Sequence, residues 1–387
     1  MQAFYELDQA TQAIVERAQR AGRDVLDKEA ASVDKEGRFP RSSIRALGDA
    51  GLLGLSLPKK WGGLEQGPRA FAAVAETVAR SCPSTAMVYV MHVCAANVVA
   101  QGPQPNEKVL RDMASGKHVS TLAFSEKGSR SHFWAPVSRE ASKNGARALS
   151  ADKSFVTSAG EADSYVVATL ADSAKTPIES SLWFVARGAP GLSVLGAFDG
   201  LGLRGNASAP MLLRDVAVTD KDRLSAPGKG FDVMMGVVLP WFQIGSAACS
   251  IGIAEAALAI TANHLNTAKF EHMGALLNSL PNLRAQVARM RIEIDRSRGQ
   301  LAYALRAIEK PGDHTMPAVL ESKAQAAEMA LAVTDLAMRT CGGAAFVHGP
   351  LAVERFFRDA RASAVMAPTT DVLHDFIGKA VLGLPLF

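Results

Sequence analysis

Residues Cys341–Thr370 read CGGAAFVHGPLAVERFFRDARASAVMAPTT. Gly342-Gly343 lets main chain approach a neighbouring group more closely than any residue carrying a Cβ. Glu354, Arg355, Arg358 and Asp359 follow at helical spacing, a charged face whose acids and bases are expected to pair with one another as a structural network. The run ends on Ala367-Pro368 and then on Thr369, Thr370 and Asp371, hydroxyls and an acid at what reads as the start of a last helix. A helix N-terminus of that kind is ready to receive an anion.

Outward from this stretch, the 387 residues are enough for two or three domains and a large core. A composition of 48% hydrophobic and 21% charged residues is that of a soluble globular protein. Aromatics are only 6% while Ala and Gly abound, which favours helices packed through small side chains. The net charge of +4 is spread along the chain and not gathered into a basic run, so nucleic acid is not implied and a phosphorylated small ligand is the better match. Cys82, Cys94, Cys249 and Cys341 show no CxxC or Cys/His ligand spacing; buried free thiols in a reducing compartment are expected, and no metal. The N-terminus carries acids early and lacks an apolar h-region. The longest apolar stretch, Ile244–Ala262, contains Glu255 and many small residues, as a buried bundle helix does and a membrane span does not. A soluble cytoplasmic protein is the expectation.

The hydrophobic period divides the chain into three. Residues 1–118 read as helical, with a helix opened by Pro40 over Ile44–Ala50, an amphipathic run Ala70–Ala79 and an apolar helix from Pro83 through Val99. Between the first two lies the turn-rich loop Leu57–Leu64. Residues 119–228 change to short β-like runs, Thr121–Phe124, Phe155–Ser158, Tyr165–Leu170, Leu182–Ala186, Leu192–Leu195 and Met211–Val218, separated by Gly, Asp and Ser clusters as in an antiparallel barrel or sandwich. From 229 to 387 the helical period returns in four or five long segments.

The opening stretch resembles the C-terminal signature of the acyl-CoA dehydrogenase family, roughly GGxGF…P(V)ER(F/Y)xRDAR…(Y)EGT. Gly342-Gly343, Phe346, Pro350, Val353-Glu354-Arg355, Arg358–Arg361 and Thr369 fit it. Ala123–Ser129 is similar to the family's "(A)xTEPxAGSD" strand and loop, and Asp152–Ala159 to its "GxKxW(I)TNA". Gly200–Ser208 with Leu213–Val218 resembles "MGxRGSxTxxLxFxDVxVP", and Leu57–Leu64 the "P-x-x-(Y/W)-G-G" loop. The resemblance covers nearly the whole chain. It implies a mainly α fold with a central β domain: an N-terminal helical domain, a middle antiparallel β-barrel or sandwich, and a C-terminal four-helix bundle. It also implies FAD, held by Phe124, Ser125, Phe155, Thr157, Ser158, Gly342, Gly343, Thr369 and Asp371, with Arg204 and Ser131 on the substrate side. Backbone amides and small hydroxyls pair with the rim of such a ring, and an aromatic side chain adds apolar contact. A homotetramer is implied as well.

Three departures bear on activity. The family's usual base, a Glu two residues before the conserved Thr, is Ala367 here. The alternative acid on an early bundle helix, in an "L(D)xER" context, falls on Phe242 of Leu239–Gln243. The "RxxFGxP" loop that clamps FAD appears as Phe270–Ala275 without its arginine, with Lys269 alone nearby. A placed general base contributes about 10²–10⁴-fold. Candidates to replace it are Asp371, one helical turn from residue 367 if the helix has begun there, and His92, with His132 and His348 behind them. The first reading is FAD-dependent CH–CH oxidation of an acyl thioester or related acyl substrate, served by an electron acceptor. The alternatives are a flavin-dependent monooxygenase fed by a flavin reductase and oxygen, and a non-catalytic subunit paired with an active paralogue.

Overall fold

The computed structural model describes residues 1–143, 146–349 and 351–386. Pro350 of the C-terminal motif lies outside the described residues. Seven helices come first: α1 (Gln2–Tyr5), α2 (Gln9–Ala21), α3 (Asp27–Glu36), α4 (Arg41–Asp49), α5 (Pro68–Ser81), α6 (Pro83–Gln101) and α7 (Glu107–Ala114). Asp8 caps α2 by accepting from the Thr11 amide, and α5 and α6 open on prolines, whose missing N–H costs nothing in the first turn.

Strands β1 (Ser120–Ala123), β2 (Glu140–Lys143), β3 (Ala146–Val156), β4 (Ser164–Leu170), β5 (Ser180–Ala186), β6 (Leu192–Val194) and β7 (Ala209–Val218) follow. They form a three-stranded sheet in the order β1-β4-β5 and a four-stranded sheet in the order β2-β3-β7-β6. The expectation of purely antiparallel pairing fails where β1 and β4 run parallel, and an isolated parallel bridge joins Arg139 to Leu170. The chain leaves β1, makes a long loop and the β2–β3 hairpin, and only then returns as β4, which is the crossover length a parallel pair requires. The run expected as a strand over Phe155–Ser158 ends at Val156, with Thr157 and Ser158 already in a turn. The long N-terminal part of β3 is rich in Ala, Ser, Arg and Asp, so its strand character comes from pairing with β2 and β7 and not from propensity.

The C-terminal part holds α8 (Gly230–Val233), α9 (Leu239–Thr267), the short ribbon β8 (Lys269–Phe270) and β9 (Ala275–Leu276), α10 (Pro281–Glu309), α11 (Thr315–Cys341), α12 (Gly343–Phe346), α13 (Val353–Val365) and α14 (Thr370–Val381). The helix containing Ile244–Ala262 and α6 are both apolar and long enough to span a bilayer, and both are buried in the protein interior. Helices α5 and α6 pack on α9 and so bring the N-terminal part against the bundle. A buried network seals that contact: Tyr5 Oη donates to Glu76 Oε2 at 2.7 Å, and Arg298 of α10 bonds Glu76 Oε1 at 2.8 Å and Glu255 Oε1 at 2.5 Å. All four cysteines are free and buried.

Candidate active site

Two walls face each other where the β region meets the bundle. The β wall is built from the end of β1, the loop after it and the end of β3. Its foundation is a buried ion pair: Lys153 Nζ lies 2.6 Å from Glu126 Oε1 and also donates to the Ala168 carbonyl. The other Glu126 oxygen accepts from the Val137 and Ser138 amides at 2.8 and 2.7 Å. One carboxylate thus ties both ends of the 125–138 loop to β3, and the Ser154 amide adds a 2.9 Å bond to the Ser125 carbonyl. 

Above this pair β3 slips register against β7 between Lys153 and Val156, and Phe155 takes φ +52°. The irregularity turns the Phe155 ring out of the sheet, 76% exposed. Thr157 and Ser158 beside it are buried; Thr157 Oγ1 pairs with Ser208 Oγ at 3.1 Å, while the Ser158 hydroxyl has no partner among the described residues. Phe124 is buried beneath the loop, its ring stacked on Phe133 at 6.3 Å. The wall is anchored from below by His92 of α6, which accepts from the Ser120 amide at 3.1 Å and meets the Leu53 carbonyl at 3.1 Å.

The bundle wall is the segment from Ser363 to Asp371. Lys323 of α11, 1% exposed, aims its ammonium at three main-chain carbonyls of this segment: Pro368 at 2.8 Å, Met366 at 3.1 Å and Ser363 at 3.3 Å. Among the described residues no carboxylate pairs with it, and burial pulls its pKa down to about 7. Thr369 caps α14, and its amide donates to Ser131 Oγ at 2.9 Å, which joins the two walls. Ala367 sits half-buried between Met366 and Pro368.

Ser131 and Thr369 meet at this junction, while Phe155, Thr157 and Ser158 share the end of β3 and Ser125 opens the loop after β1. Other expectations are corrected. Arg204 is not free for a substrate: its guanidinium donates to the Asp34 carbonyl at 2.8 Å and to Asp199 at 2.9 Å, fixing the 199–206 turn to α3. Gly202 in that turn lies so close to α13 that a Cβ would meet the Arg358 carbonyl at 2.3 Å. The ion network of α13 is also different from the expected one. Arg358 pairs with Glu354 and with Asp34, whereas Asp359 is buried, accepts from the Leu203 amide at 2.6 Å and has its pKa pushed up to about 7 by burial.

Neither leading candidate for a replacement base is suitably placed. His92 has no exposed surface, both ring nitrogens are engaged, and burial lowers its pKa to about 4, so it is a structural histidine. Asp371 is exposed in the first turn of α14, but that helix starts only at Thr370; the one-turn relation to residue 367 therefore does not exist. His132 stacks on Trp134 at 4.9 Å, and His348 is largely exposed beside Glu354 at 3.2 Å. Phe242 is buried in the core.

Gly342 takes φ +60°, ψ −142°, a conformation open only to glycine, and a Cβ on Gly343 would meet nothing within 4 Å. The exposed Phe346 and Val347 flank this open glycine pair. Sequence reasoning missed the roles of Glu126, Lys153 and Lys323. The signal for Lys323 was present: it lies at helical spacing with Val319, Leu320, Ala326 and Ala327, on the core-facing side of α11. Among the described residues no group of three or more His, Cys, Asp or Glu side chains is placed to hold a metal.

Three consecutive domain descriptions of one family match the chain: acyl-CoA dehydrogenase N-terminal domain over residues 8–117, middle domain over 121–216 and C-terminal domain over 228–382. The chain is 28% identical over 362 residues to the mitochondrial short-chain specific acyl-CoA dehydrogenase of Bos taurus, covering 90% of this chain and 85% of that one. Its fold superposes on butyryl-CoA dehydrogenase from Megasphaera elsdenii with a TM-score of 0.91 at 24% identity, over 97% of this chain and 99% of the other. It also superposes on PigA with FAD and proline, with a TM-score of 0.89 at 20% identity over 98% of each chain. With three matched domains in order and the fold to accompany them, the chain belongs to the acyl-CoA dehydrogenase family of FAD-dependent oxidoreductases.

Proposed function

We propose that the chain holds the FAD ring system against Phe155, Thr157 and Ser158 and oxidises an acyl thioester at CH–CH without a carboxylate at residue 367. The observation that carries the placement is the buried, unpartnered Ser158 hydroxyl next to a Phe155 ring that is 76% exposed. An orphaned polar atom and an uncovered apolar face on one edge fit a heteroaromatic ring with acceptors on its rim. Bound FAD supplies the hydride acceptor for the oxidation.

The chain's own residues do the positioning. Phe155 offers apolar contact and Ser158 Oγ a donor, while Lys323, Thr369 and Ser131 hold the bundle segment at its distance from the β wall. Removing the α-proton is the step left without a carboxylate, since Ala367 and Phe242 stand at the two expected positions and His92 is locked in the core. That same feature favours a second reading, a flavin-dependent monooxygenase fed by a reductase and oxygen, which requires no carboxylate there.

The open Gly342-Gly343 pair flanked by exposed Phe346 and Val347 supports a homotetramer in which a neighbouring subunit approaches this point. Four buried free thiols support a reducing, cytoplasmic setting. The test is anaerobic mixing of the FAD-loaded protein with short, medium and branched acyl-CoAs. Bleaching of the flavin that is reoxidised by an electron acceptor is the result expected. No bleaching, with oxygen uptake appearing only when a flavin reductase is added, replaces this reading by the second.

A further inference from the structure

On the face formed by the N-terminal helices and the outer half of α9, a groove of about 480 Å³ is rimmed by Arg23, Arg80 and Arg355. Its floor includes Ile260 of α9 and Phe356 of α13. The chain crosses tightly here: a Cβ on Gly22 would come within 2.9 Å of Ser81 Oγ, and this close crossing sets Arg23 and Arg80 on one rim. None of the three guanidiniums has an ion-pair partner among the described residues, and the single carboxylate in the groove, Asp27, leaves an excess of positive charge.

Arg355 is the informative member. One turn further along α13, Arg358 is saturated by Glu354 and Asp34. Arg355 instead lies over the Phe356 ring at 5.0 Å, and its Nε is buried with no acceptor among the described residues. A buried guanidinium N–H without an acceptor is costly unless something outside the chain supplies one. Three planar forks converging from three elements match the oxygens of a phosphate group better than a lone carboxylate, and Ile260 and Phe356 offer an apolar floor for whatever carries it.

We propose that this groove is a second ligand site, for a phosphate-bearing small molecule, distinct from the two walls described above. The test uses FAD-saturated protein, so that the cofactor's own phosphate contacts are filled, titrated calorimetrically with inorganic pyrophosphate and with ADP at constant ionic strength. Saturable binding with a Kd of about 1 mM or tighter is expected. Arg80→Gln and Arg355→Gln should each weaken it by about ten- to a hundredfold, the loss of one charge-assisted contact. Asp27→Asn, at an exposed position, should tighten it. Equal affinity for the two probes identifies the free anion as the ligand chemistry, and tighter ADP binding identifies a nucleotide. Absence of saturable binding at about ten times that concentration overturns the proposal. So does binding unchanged in the Arg23→Gln/Arg80→Gln double variant, whose exposed positions leave folding intact.

Discussion

The two walls of the site are held by buried lysines in opposite ways. On the β side Lys153 meets Glu126, and the carboxylate passes its second oxygen to two amides, so charge and hydrogen bonds both close within the protein. On the bundle side the partners of Lys323 among the described residues are carbonyls, with no carboxylate. The β wall keeps the residue types that its motif leads one to expect beside a flavin. The bundle wall keeps the Thr369 cap of its motif and carries Ala367 where the motif leads one to expect a Glu.

The largest stability effect belongs to the closed pair. Lys153→Met strands a buried carboxylate and should cost about 3–5 kcal/mol in chemical denaturation, with loss of FAD retention. Lys323→Met leaves three carbonyls without a donor but no buried charge, so it should cost less, about 1–3 kcal/mol. Equal or reversed costs would break the contrast between the walls.

The anchor of the β wall predicts a pH dependence. His92 titrates near 6.5 when unfolded and near 4 in the folded protein, so the unfolded chain binds the extra proton first. Stability is thus fully present above pH 6.5 and is lost as pH falls toward 4, by about 3 kcal/mol. A denaturation series from pH 7 to 4 should show that loss in the wild type and a flatter profile in His92→Gln.

Lys323 acts with the same sign in a higher pH window. Its folded pKa of about 7 lies below the ordinary lysine value of 10.5, so the unfolded chain holds a proton that the folded one releases. The wild type should gain stability relative to Lys323→Met as pH rises from 7 toward 9.5. A difference independent of pH would mean that the three carbonyls keep the amine charged throughout. The smallest effect is expected for Thr157→Val, which removes the bond to Ser208: about 1 kcal/mol of stability, together with weaker flavin binding measured by fluorescence titration.

Much of this was legible in the chain. Prolines and caps mark where α5, α6 and α14 begin, and the C-terminal run from Gly342 to Thr369 points to the family by itself. Lys153 was not legible as a support, because a Lys beside Asp152 reads as a surface residue until the fold buries it; the helical spacing of Lys323 pointed to the core, but its carbonyl partners 40 to 45 residues away did not show in the sequence. The β2–β3 hairpin was missed since its composition is that of a helix or loop and only cross-strand pairing makes it a sheet. Arg204 was misread for the same reason in reverse: its partner, the carbonyl of Asp34, is 170 residues away.

The central claim is that the bundle wall retains its geometry and lacks only its base. Flavin reduction by acyl-CoA, followed anaerobically in the wild type and in Ala367→Glu loaded with equal FAD, tests it most directly. Slow bleaching by the wild type and bleaching faster by up to about 10²–10⁴-fold in the variant is the predicted result. Wild-type bleaching as fast as that of the variant would contradict it, because another group would then already be taking the α-proton.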